Sequence, residues 1–60
     1  MSTFKQPTRV AFYAQTHTHG ELAMGDRVCK RPEGTREYRT LMHMLRTDTD
    51  VRYVGWQVID

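Results

Sequence analysis

The chain has little of what usually secures a small domain. It holds one cysteine, Cys29, in 60 residues. An internal disulfide is therefore excluded, although secreted domains of this size commonly carry about two to four. No apolar run approaches the roughly 20 residues of a membrane helix. The N-terminal residues lack the charged-then-apolar pattern of a secretory signal. A cytoplasmic, non-membrane protein is the expectation. Neither charge sign dominates, since Lys+Arg is 9 and Asp+Glu is 7, for a net +2. No internal repeat or low-complexity tract is visible. Membrane spans, repeat arrays, coiled coils and large enzymes are excluded. Sixty residues allow one domain. Such a domain buries only about 60% of the surface its unfolded chain exposes. With no disulfide, oligomerisation is the expected staple, and a homodimer the expected state.

What is present reads as β-β-α-β. Residues 1–8 are polar apart from Phe4 and end near Pro7, which suggests a flexible N-terminal arm. Residues 9–60 then form the single domain. Arg9 to His17 is rich in aromatic and β-branched residues and reads as a strand. Val10, Phe12 and Ala14 share its better core face, because alternate residues point the same way. A turn is expected before Gly20. Glu21 to Arg31 gives a second strand, with Leu22, Met24 and Val28 on one parity and Gly25 marking a candidate bulge. Together these two strands predict an antiparallel hairpin. Thr35 is a candidate helix N-cap, with Glu37 in the first turn. Tyr38, Leu41, Met42 and Leu45 fall at helical spacing and predict a helix from Arg36 to Arg46. Val51 to Ile59 reads as a strand apolar on both parities, which suggests a central position or a partner over its second face. The expected fold is a small two-layer α+β domain, with one helix on a three-stranded, mostly antiparallel sheet.

Few residues suggest chemistry. His17 and His19 form an H-x-H pair that would chelate if both stood on one face of a strand, with Cys29 and His43 completing a set. Their spacing matches no standard zinc pattern, so no metal or other cofactor is expected. Cys29 lacks an orienting group and oxyanion donors nearby in sequence, and no enzymatic activity is expected.

Charge is concentrated in one stretch. From Arg27 to Arg46 six basic residues face two acidic ones, leaving +4. Helical spacing gathers Arg36, Arg39, His43 and Arg46 on one side, with Lys30 and Arg31 just upstream. Tyr53 and Trp56, with Met44, suggest a second surface of interface-type residues. These residues support a small protein-binding module acting on a larger protein. In length it resembles, by type alone, the accessory proteins with which bacteriophages inhibit or modulate host proteins. The alternative is a small nucleic-acid-binding domain using the basic helix face.

Overall fold

The computed structural model describes residues 3–59; of the expected arm and domain, Met1, Ser2 and Asp60 lie outside the described residues. The elements are β1 (Thr8–Thr16), β2 (Gly20–Cys29), a short 3-10 turn (Pro32–Gly34), α1 (Arg36–Thr47) and β3 (Val51–Val58). They build a small α+β domain of two layers. The sheet is wholly antiparallel, with the order β2-β1-β3. β1 is therefore the central strand. The apolar character of β3 on both parities does not place it at the centre. It is an edge strand, and Tyr53, Val58 and Ile59 at this edge remain exposed.

Alternation along β1 decides the layering. Val10, Phe12 and Ala14 are buried to within 1% and meet Leu41 of α1 and Val51 of β3. Met24, Cys29, Val54, Trp56, Tyr38, Met44 and Leu45 close this core from the sides. Phe4 joins them. Its ring meets Trp56 edge-on at 5.7 Å, and its amide donates to the Lys30 carbonyl at 2.7 Å.

Two details differ from the periodicity. In β2, Ala11 pairs with Asp26 but Tyr13 pairs with Ala23, so Met24 and Gly25 together oppose Phe12. Gly25 has φ +111°, which suits glycine at such a bulge. The extra residue flips the parity of the strand. Leu22 opposes Ala14 on the helix side, while Val28 opposes Arg9 on the far side and is 60% exposed. In α1, Met44 rather than Met42 packs on the core. Leu41 is the most buried helical residue. At about 100° per residue Met44 lies about 60° from it and Met42 about 100°.

Candidate interaction surface on the helix

The helix is held firmly at its start. Thr35 has extended backbone, and its Oγ1 accepts from the Tyr38 amide at 3.2 Å while donating to the Pro32 carbonyl at 2.7 Å. Glu37 in the first turn faces β2, where Arg27 Nε lies 2.9 Å from its Oε1. The two form an ion pair whose N–H is not aligned for a hydrogen bond. The Glu37 carboxyl is held below the ordinary value of 4.5. Its own backbone amide contributes most. Partial burial opposes this, and Arg27, then Arg36, reinforce it. At the other end, the Asp48 amide closes the helix onto the Met44 carbonyl at 2.7 Å.

The outer side of α1 carries the charge. Arg36, Arg39, His43 and Arg46 are all exposed. They fall within an arc about 80° wide, centred opposite Leu41. Arg39, His43 and Arg46 make no side-chain hydrogen bond or ion pair among the described residues, and the charge of Arg36 acts on Glu37. Two other arginines are committed within the fold. Arg27 pairs with Glu37, and Arg9 Nη2 lies 2.8 Å from Asp26 Oδ2.

The remaining candidate residues are not gathered with this stripe. Lys30 and Arg31 are exposed on the link between β2 and the 3-10 turn. Trp56 points to the helix side of the sheet and packs inward with Phe4. Tyr53 lies on the opposite face, where its ring meets Tyr13 at 6.1 Å. β1 ends at Thr16, so His17 and His19 stand in the turn rather than on a strand. Among the described residues no three His, Cys, Asp or Glu side chains come together as a metal site. No pocket is present among them either.

One constellation escaped the sequence reading. The Thr18 hydroxyl donates to Asp50 Oδ2 at 2.6 Å and lies 2.8 Å from His19 Nδ1, and the Thr18 amide donates to Asp50 Oδ1 at 3.2 Å. The His17 amide also reaches the Asp50 carbonyl at 2.9 Å. The group ties the β1–β2 turn to the start of β3. The sequence showed only a polar turn and an acidic turn, 32 residues apart.

The fold and surface thus define a small α+β domain with an exposed cationic helix. No protein-family model matches the chain, and no curated protein or solved structure is significantly similar to it.

Proposed function

We propose that this chain is a small protein-binding module whose outer helix stripe docks on an acidic protein surface. One observation carries the reading. Arg39, His43 and Arg46 share an exposed arc and enter no ion pair among the described residues, whereas Arg9 and Arg27 each pair with a carboxylate on the surface of the sheet. Arginine is enriched at protein interfaces, where its planar fork meets carboxylates with two hydrogen bonds. The aromatic residues also favour this reading over nucleic acid. Tyr13 and Tyr53 lie on the far face of the sheet, and Tyr38 and Trp56 pack on the core. None interleaves with the arginines, so a platform for stacking bases is missing beside the charge. By this reading the chain occupies a surface of a larger protein, as an inhibitor or modulator of the phage accessory type.

The test compares the wild type with the double reversal Arg39→Glu, Arg46→Glu. Both positions are exposed, so the far-ultraviolet circular dichroism should not change. Immobilised wild type should retain a defined protein from nuclease-treated lysate, and the reversed variant should lose it. Fluorescence anisotropy with generic duplex DNA and single-stranded RNA should show no micromolar binding at about 0.15 M salt. Retention unaffected by the reversal would remove the stripe as the site. Micromolar nucleic-acid binding, with a log–log salt slope of about −0.9 per phosphate contacted on duplex DNA or about −0.7 on a single strand, would replace the protein partner with nucleic acid.

A further inference from the structure

The helix covers one face of the sheet and leaves the other bare. We infer that the bare face docks a second copy of this chain, sheet against sheet. At its centre lie Ala11, Tyr13, Ala23, Tyr53 and Gly55. Tyr13 lies across Gly55. A Cβ placed on that glycine would stand 2.8 Å from the tyrosine Oη and 3.0 Å from its Cζ. The ring of Tyr53 then meets Tyr13 edge-on, with an interplanar angle of 88°. The face is therefore an ordered apolar platform. Val28 and Ile59, 60% and 44% exposed, lie beyond it on either side of Arg9. Gln15, Gln57, Glu21 and the Arg9–Asp26 pair border it. An apolar centre within a polar rim is how an interface is built.

Charge and shape select the occupant. The bare face carries little net charge, because Arg9 and Asp26 cancel and Glu21 alone is left over, so a copy meets it with little repulsion. Contact through the helices would instead oppose two arginine stripes. Large tyrosines and small alanines share the one face, which a twofold axis can interdigitate at the roughly 10 Å separation of stacked sheets. Three strands of this length present roughly 400 Å² in projection, and more as accessible surface. Weak interfaces bury under about 600 Å² per partner and standard ones about 800 Å². A weak dimer fits this area. It also supplies what the monomer lacks. Among the described residues only Val10, Phe12, Ala14, Pro32, Leu41 and Val51 are buried apolar residues, and no disulfide adds to them.

Sedimentation equilibrium on the full chain, from about 1 to 500 µM, tests this. The wild-type mass should rise from 7.1 kDa towards twice that value. Tyr53→Glu should hold it at the monomer. Ala23→Arg, at an exposed position of β2, is the second variant should the first fail to fold. The Arg39→Glu, Arg46→Glu protein should dimerise as the wild type does, which separates this inference from the helix reading. A wild type that stays monomeric at the highest concentration would overturn it. So would a dimer untouched by both Tyr53→Glu and Ala23→Arg.

Discussion

On one face of β1, Val10, Phe12 and Ala14 lie fully buried beneath α1; on the other, Ala11, Tyr13 and Gln15 are half-buried, with no element of the described residues above them. The two sets alternate residue by residue along the same strand. One helix has a single apolar stripe and covers one face, and the described residues supply no second helix. The covered face carries the hydrophobic stabilisation of the monomer. The bare face is ordered by local packing, with a tyrosine laid over a glycine and a second tyrosine against its edge.

The sharpest way to break this contrast is to truncate one residue on each face. Phe12→Ala removes a ring that is 1% exposed. Losses of this kind cost about 3–5 kcal/mol. A chain of this length has on the order of 3–9 kcal/mol in total. The variant should therefore lose half or more of its stability, as read by circular dichroism and urea titration. Tyr53→Ala on the bare face, measured at low micromolar concentration, should cost under about 1 kcal/mol. An equal loss at both positions would show that the bare face belongs to the core.

Asp50→Ala comes next. It removes the carboxylate that accepts from both the amide and the hydroxyl of Thr18. Hydrogen bonds to a charged group are worth about 1.5–3 kcal/mol, and partial exposure reduces this. A loss of about 1–2 kcal/mol is expected, with faster amide exchange at Thr18. Protection unchanged at that amide would show that the turn holds without its anchor. Gly55→Ala should cost less, roughly 0.5–1 kcal/mol, because the ring tip of Tyr13 can swing aside at the expense of its packing. The Tyr13–Tyr53 contact should vanish from the nuclear Overhauser spectrum. If the contact survives, Gly55 is not what seats the ring.

Local patterns were readable where one periodicity sufficed. The Thr35 cap, the helix behind it, the hairpin turn before Gly20, the bulge at Gly25 and the core alternation of β1 all follow from short-range rules. Features that depend on distant partners were not readable. The two apolar parities of β3 suit a central strand or a partner-covered edge equally well, and only the pairing of β1 with both neighbours decides between them. The one-residue bulge reassigns Leu22 and Val28 to opposite faces, which parity counting cannot register. In the candidate site, the arc of Arg36, Arg39, His43 and Arg46 was legible from spacing. The removal of Arg27 from that charge by Glu37, and the separation of Tyr53 from Trp56, required the fold.

That Arg27–Glu37 pair joins β2 to the helix on the covered side, and it gives the smallest and most specific effect. The carboxyl is held below 4.5, chiefly by its own amide and further by Arg27. A carboxyl lowered in the folded state stabilises the fold above its unfolded value and loses that contribution as pH falls through the folded value. The wild type should therefore lose stability as pH drops below 4.5. Glu37→Gln keeps the shape and removes the titration. It should be slightly less stable than the wild type at neutral pH, and the two should converge in acid. Urea titrations at neutral pH and at about pH 3 measure the difference directly. If the gap is as wide in acid as at neutral pH, the glutamate acts through packing alone, and the bridge between β2 and the helix carries no charge-dependent stability.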